Sequence, residues 1–316
     1  MRQIKLSNTE LMVSDKCLGT MFFGTKVDEE TSFALMDQYA GAGGNFYDTA
    51  NVYHAFQPGT RGGESETIIG RWLKSRKNRD KCVVATKAGV GYGDIPAGLG
   101  RNRILEECDK SLARLGVDYI DIYYLHLDDR GTPLEETLGT CMELIQKGKV
   151  RYLGASNYAA WRLKEALGIC KSMGLPGFAA FQCWITLLRP AAFSLPIPGR
   201  IFYNEEVKDI CETEGITILG YETLLRGLYG DNGKGFRDNF RTWDNLARLK
   251  TLREVAKEKN ISPAQAVYGW MLNLNPRPVP IITASKAGQL EENINCEASL
   301  LSKEDMERID AAALAP

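Results

Sequence analysis

The chain has 316 residues, of which 44% are hydrophobic and 25% charged, with a formal net charge of −1. That balance is ordinary for a globular protein, and so neutral a bulk charge gives no electrostatic case for nucleic acid or an anionic membrane as partner. The opening Met1-Arg2-Gln3-Ile4-Lys5-Leu6-Ser7 has no apolar signal core, and no stretch approaches the roughly 18 apolar residues of a membrane span, so the cytoplasm is the expected location. Eight cysteines (Cys17, Cys82, Cys108, Cys141, Cys170, Cys183, Cys211 and Cys296) form no CxxC pair and sit mostly in apolar runs. They read as small core residues of a reducing compartment, not as a disulfide framework or a zinc site.

In chain order, the first predicted element is a β-hairpin over Ile4–Val13, where polar turn residues separate two short apolar segments. From Lys16 the pattern becomes regular. An apolar run at Lys16–Thr20 precedes a helical period over Glu29–Ala42, Gly44–Thr49 precedes Glu64–Lys74, and Cys82–Lys87 precedes Arg101–Leu115. Tyr119–His126 is followed by Leu134–Lys147, Val150–Ser156 by Ala159–Met173, and Phe178–Gln182 by Asn204–Glu214. Ile216–Tyr221 then leads to Ser262–Asn273 and Pro278–Ile282 to Ala287–Cys296, with additional helices at Trp243–Lys257 and Lys303–Ala313. Most of the short runs are continuously apolar, as expected of parallel strands covered on both faces. The fourth helix carries Leu134, Leu138, Met142 and Ile145 as a core-facing stripe, and Gly148 suits its C-cap. Eight strand-then-helix units predict a (β/α)₈ TIM barrel with an N-terminal β-hairpin and additional C-terminal helices. No Ser/Gly-rich linker interrupts them, so residues 1–316 are expected to form one domain.

Four polar residues stand where a strand gives way to a loop: Asp48 and Tyr53 after the second run, Lys87 at the end of the third and His126 at the end of the fourth. Chemistry in such a barrel gathers at the C-terminal strand ends, where these four would converge. Each has a plain structural alternative. Tyr53 could be a packing residue of its loop, Asp48 the cap of a turn or helix, and His126 a satisfied core histidine. Lys87 follows Val83-Val84-Ala85, and a lysine near buried strands needs a partner or a function. Together they suit polar reduction of a C=O group. A phenol has an unperturbed pKa near 10, an adjacent ammonium favours its phenolate, and a carboxylate keeps that ammonium charged and fixed. The imidazole can orient the carbonyl oxygen or help relay a proton. Hydride must come from a cofactor, since no side chain donates it.

Two other site readings fail. Gly89-Val90-Gly91-Tyr92-Gly93-Asp94 imitates a dinucleotide fingerprint, but its third glycine position is Asp94, and Pro96, Gly98 and Gly100 delay the next helix. A metal-dependent hydrolase would want several histidines, whereas His54 and His126 are the only two, so no metal site is assigned.

At this point the residues resemble a known family, the aldo-keto reductase superfamily, along almost the full length. The resemblance rests on Gly19-Thr20-Met21, Phe46-Tyr47-Asp48-Thr49-Ala50 with Tyr53, Gly63-Glu64-Ser65-Glu66, Ala85-Thr86-Lys87 and Leu125-His126. It continues through Leu115–Asp121, Gly148–Asn157 and Leu290-Glu291-Glu292-Asn293. It implies a nicotinamide dinucleotide bound on a barrel without a Rossmann domain. It also implies Tyr53 as general acid/base, Asp48 and Lys87 as the pair tuning it, and His126 as substrate orienter. By the same resemblance Ser156, Asn157 and Gln182 hold the nicotinamide carboxamide and Tyr221 stacks on the ring, with Gly19, Thr20, Met21 and Asp48 also at the cofactor. Ser285, Lys286, Gln289, Glu292 and Asn293 look like the adenosine-phosphate end, where Lys286 and the helix opening at Ala287 suit a phosphate.

The chain departs from the family at three places. Gln289 stands where many relatives carry arginine, so NADP(H) is favoured on Lys286 alone and NAD(H) is the alternative. The segment Pro190 to Phe202 is longer than usual and, with Pro190, Pro196 and Pro198, is expected to form a loop near the mouth. Tyr221-Glu222-Thr223-Leu224 replaces a more usual Tyr-x-Pro-Leu. Trp184, Phe193, Phe202 and Tyr203 either line an apolar substrate pocket or pack the long loop onto the barrel. The expected activity is interconversion of aldehydes or ketones, sugars included, with alcohols. The alternative is a cofactor-binding regulatory or sensor protein with little turnover, whose signature would be loss of a tetrad member or a long N-terminal extension. All four members are present.

Overall fold

Turn residues between Lys5 and Met12 fold the chain back on itself, so that β1 (Gln3–Lys5) pairs antiparallel with β2 (Met12–Ser14), Ile4 opposite Val13. The computed structural model describes residues 1–56, 59–192, 194, 197–230 and 238–312. After the hairpin, eight parallel strands close into a barrel: β3 (Cys17–Gly19), β4 (Phe46–Asp48), β5 (Val83–Ala88), β6 (Ile120–Leu125), β7 (Val150–Ser156), β8 (Phe178–Trp184), β9 (Thr217–Tyr221) and β10 (Val279–Ile282). Closure is made by β10, which pairs with β9 on one side and β3 on the other.

The helices follow the strands as the periodicity predicts: α1 (Glu29–Gly41), α2 (Glu64–Arg76), α3 (Arg101–Leu115), α4 (Leu134–Gln146), α5 (Ala160–Ser172), α6 (Glu205–Thr213), α7 (Trp243–Glu258), α8 (Pro263–Leu272), α9 (Ala287–Ile294) and α10 (Lys303–Ala311). Several signals at their ends are local chemistry. Asp28 and Asn204 cap α1 and α6 through their side chains, and Ser262 forms a capping box with Gln265 beside Pro263 at α8. Gly148, at φ +71°, carries the chain out of α4 in the left-handed region that glycine tolerates. The expected stripe of α4 packs on the core: Leu134 and Leu138 are buried and Met142 and Ile145 half-buried against the same cluster, with Thr137, Thr140, Cys141 and Leu144 buried beside them. Of the earlier readings, Phe193, Pro196 and Ala313 lie outside the described residues.

Period-two alternation sorts the strand residues into two cores. Phe46, Val83, Ala85, Ile122, Tyr124, Ala180, Leu219 and Val279 fill the barrel interior together with Leu6, Leu11 and Val13 of the hairpin. The hairpin therefore plugs the N-terminal end, and Ser7 N–H donates to Thr217 Oγ1 at 3.0 Å to pin it there. The outward residues Tyr47, Val84, Tyr123, Leu153, Phe181 and Ile218 pack against the helices. A further apolar cluster joins Trp184, Leu187, Leu188 and Tyr229 to α7 and to Ile309 of α10. No described helix is long and apolar enough to cross a membrane. All eight cysteines are free and buried.

Candidate active site

The same alternation that buries Phe46, Ala85 and Tyr124 inside the barrel aims the next residue but one in each strand at its open end. These are Asp48, Lys87 and His126, and by the same rule Gln182 follows Ala180 and Tyr221 follows Leu219. Tyr53 arrives from the loop after β4. That loop is strapped along β5 by Thr49 N–H to Ala85 O at 2.9 Å and Asn51 N–H to Lys87 O at 3.3 Å.

Lys87 Nζ donates to Asp48 Oδ2 at 2.6 Å, to Tyr53 Oη at 2.7 Å and to Thr49 O at 2.8 Å. Three acceptors use all three N–H bonds of an ammonium. Burial pulls the Lys87 pKa down, and the Asp48 carboxylate opposes that pull. The Tyr53 hydroxyl in turn donates to Asp48 Oδ2 at 2.9 Å, and Gln182 Nε2 donates to Asp48 Oδ1 at 2.6 Å. For Tyr53 the sum of influences runs upward, led by burial and then by Asp48, opposite to the lowering expected from a neighbouring ammonium alone. The resting phenol is thus held in its protonated form.

His126 is 7% exposed and its ring meets the Tyr53 ring edge-on, with centroids 6.3 Å apart. Burial, then the charges of Lys87 and Arg200, push its pKa well below the usual imidazole range, so it stands neutral. Its Nδ1 is buried without a hydrogen-bond partner among the described residues. An orphaned buried nitrogen on the ring beside the phenol fits a site that takes a polar ligand.

The residues expected at the carboxamide lie side by side. Asn157, at φ +61°, donates through Nδ2 to Ser156 Oγ at 2.8 Å and to His126 O at 3.1 Å. Its Oδ1 accepts from Tyr221 Oη at 2.5 Å and from Ile201 N–H at 3.3 Å. Its backbone N–H donates to Gln182 O at 3.1 Å. Gly19 ends β3 beside Asp48, Met21 is half-buried, and Thr20 is fully buried with its hydroxyl donating to Asp48 O at 2.9 Å. Thr20 therefore holds the Asp48 backbone in place.

The opposite end lies at α9. Lys286 is its N-cap residue and makes no side-chain cap, so the first N–H groups of the helix and an exposed cation stand together. Ser285 donates through both N–H and Oγ to Gln289 Oε1 at 3.1 Å. Asn293 is buried and donates to Thr283 O at 3.0 Å, while Glu292 accepts from Ser262 Oγ. An uncapped helix N-terminus with a lysine at one end, and convergent amides beside a neutral imidazole at the other, fit a dinucleotide carrying phosphate and carboxamide groups. No group of three or more His, Cys, Asp and Glu able to hold a metal occurs among the described residues.

Several contributors went unseen in the sequence. Glu107 of α3 accepts from Asn51 Nδ2 at 2.6 Å and from Tyr92 Oη at 2.7 Å, buttressing the loop that carries Tyr53. Glu66 accepts from Thr86 Oγ1 at 2.5 Å and from Arg114 Nε at 2.6 Å, fixing β5 from outside. A glutamate on the buried face of a helix was the available signal for Glu107. Arg200, in the long loop, acts electrostatically on Tyr53, Lys87, His126 and Tyr221. Trp184, at the end of β8, is buried and stacks on Phe202 of the loop with centroids 4.7 Å apart, so this pair packs the loop onto the barrel.

Comparison with known proteins agrees with this geometry. Residues 17–314 match the model of the aldo/keto reductase family. The chain is 29% identical to norsolorinic acid reductase of Aspergillus flavus, over 98% of this chain and 80% of that protein. It is 31% identical to the uncharacterized oxidoreductase YrpG of Bacillus subtilis, over 95% and 92% of the two chains. It is 32% identical to the aldo-keto reductase str7 of Strobilurus tenacellus, over 90% and 82%. A match of that extent shows the family: the chain belongs to the aldo/keto reductases, NAD(P)H-dependent oxidoreductases acting on carbonyl and alcohol groups.

Proposed function

We propose that this protein, acting as one domain over residues 1–316 in the cytoplasm, reduces aldehydes or ketones with NADPH as preferred coenzyme and Tyr53 as proton donor. The observation that carries the reading is the Tyr53 hydroxyl oxygen held 2.7 Å from a lysine ammonium whose other two N–H bonds are fixed on Asp48 and Thr49. The bound coenzyme supplies hydride to the carbonyl carbon. Ser156, Asn157 and Gln182 would hold its carboxamide, Tyr221 would lie against its ring, and Lys286 with the first turn of α9 would take a phosphate.

Tyr53 begins protonated, because burial and Asp48 keep its pKa up. To act, it turns its hydrogen from Asp48 Oδ2 to the carbonyl oxygen. The phenolate left behind faces the Lys87 ammonium already in place, so the developing charge needs no reorganisation. His126, neutral and carrying one N–H, donates to the same carbonyl oxygen and fixes its direction. Gln182 keeps Asp48 from rotating, which keeps Lys87 aimed.

The test is coenzyme oxidation by the purified protein with a panel of aldehydes, ketones and sugars, beside Tyr53→Phe. Loss of the proton donor should lower kcat by about 10²–10⁴-fold with coenzyme binding retained. Full turnover in the variant would sink the assignment of the acid.

A further inference from the structure

The segment between β8 and α6 contributes a cation to the site. It is tied down immediately after Arg200. Ile201 N–H donates to Asn157 Oδ1 at 3.3 Å, and Ile201 O and Tyr203 N–H bond to the backbone of Trp184 at 2.9 Å each. Phe202 stacks on Trp184, so the segment runs as a short parallel bridge along the end of β8. Arg200 is therefore one residue from an anchor on Asn157, whose amide also holds the His126 carbonyl at 3.1 Å.

Arg200 is half-buried, and among the described residues no carboxylate pairs with it. The other cation it acts on, Lys87, is by contrast paired with Asp48. A second, unpaired cation beside a buried ammonium works against stability, and it weighs on His126 and Lys87 alike. A cleft with apolar walls focuses such a charge on whatever enters it. A guanidinium also offers a planar fork that matches a carboxylate in a two-point bond.

We propose that Arg200 binds a carboxylate on the carbonyl substrate, making this enzyme a reductase of aldehyde or keto acids. The inference rests on the carbonyl-reductase reading above and adds the substrate class. The anion would sit on the β8–α6 side of the mouth while the carbonyl oxygen lies between Tyr53 and His126.

The experiment compares the ortho, meta and para isomers of carboxybenzaldehyde with the matching uncharged formylbenzamides, using kcat/KM at fixed saturating NADPH. The intact enzyme is expected to prefer at least one acid over its amide by on the order of 10–100-fold, the range of a charge-assisted hydrogen bond. Arg200→Met should bring that ratio to about one, and Arg200→Lys should keep part of it, which a merely structural role would not do. A ratio near one in the intact enzyme, or an unchanged ratio in Arg200→Met, overturns the assignment. So does a rise in the NADPH KM that is the same for acid and amide, since that places Arg200 on the coenzyme. Absence of turnover on every aldehyde removes carbonyl reduction and this inference together, whereas turnover without acid preference removes Arg200 alone.

Discussion

The ammonium of Lys87 and the carboxylate of Asp48 meet at 2.6 Å with side chains 1% and 2% exposed. Neither charge has solvent to fall back on. Replacing Lys87 by methionine leaves a buried carboxylate with only Gln182 and Tyr53 as donors. The expected loss is about 3–5 kcal/mol in urea unfolding. Lys87→Met combined with Asp48→Asn should be less destabilised than Lys87→Met alone. Strictly additive losses would mean that the two do not act as a pair.

The buried imidazole of His126 gives stability a pH dependence. Its folded-state pKa is well below the usual value, first because it is buried. Between that value and an unfolded pKa of about 6.5, the unfolded chain binds a proton that the folded one does not. Stability from this group is complete above about pH 6.5 and declines as pH falls toward the folded value. Urea midpoints measured from about pH 7 down to 5 should show this slope in the native protein and lose that part of it in His126→Gln. Identical slopes would place the titration elsewhere.

On the proposed reading, coenzyme choice would turn on one cation. Lys286 stands exposed at the uncapped start of α9, and Gln289 is engaged with Ser285. Lys286→Ala should reduce the preference for NADPH over NADH by about 5–10-fold, the scale of one exposed charge–phosphate contact at a helix N-terminus. The two coenzyme KM values, measured with one aldehyde, give the answer. A preference that does not move would show that the 2′-phosphate is read by another group.

The floor of the site is packed without slack. A Cβ on Gly154 would come within 2.4 Å of the Tyr124 ring, which lies 5.7 Å below Lys87 Nζ. Gly154→Ala should therefore cost about 1–3 kcal/mol and lower kcat, because a displaced ring disturbs the packing beside the lysine. Denaturation and steady-state kinetics on the same preparation would check both. A variant as stable and active as the native enzyme would show that the ring gives way freely.

Three of the four candidate catalytic groups were legible because each stands at the end of a mostly apolar run, and strand alternation then fixes which way it points. Asp48, Lys87 and His126 needed only that rule and a repeating unit. What escaped was set by partners far apart in the chain. Gln182 reaching Asp48 and Glu107 reaching Asn51 are contacts across the barrel or between units, and although Glu107 stands on the buried face of its helix, no local pattern names either partner. Arg200 escaped for a different reason: its segment reads as apolar and proline-rich, and its aromatic residues drew attention from the one cation among them.

Barrel closure sets a condition on how the protein is made. Cys17 and Leu18 of β3 take Ile281 and Ile282 of β10 as neighbours, so the first and last parallel strands depend on each other. A nascent chain carries Asp48, Lys87 and His126 long before β10 leaves the ribosome, and until then β3 and β9 each present an open row of backbone groups. The ring is completed only once β10 has been made. A chain stopped before Val279 would be an open sheet with two sticky borders, and its fate would be aggregation or chaperone capture instead of partial activity.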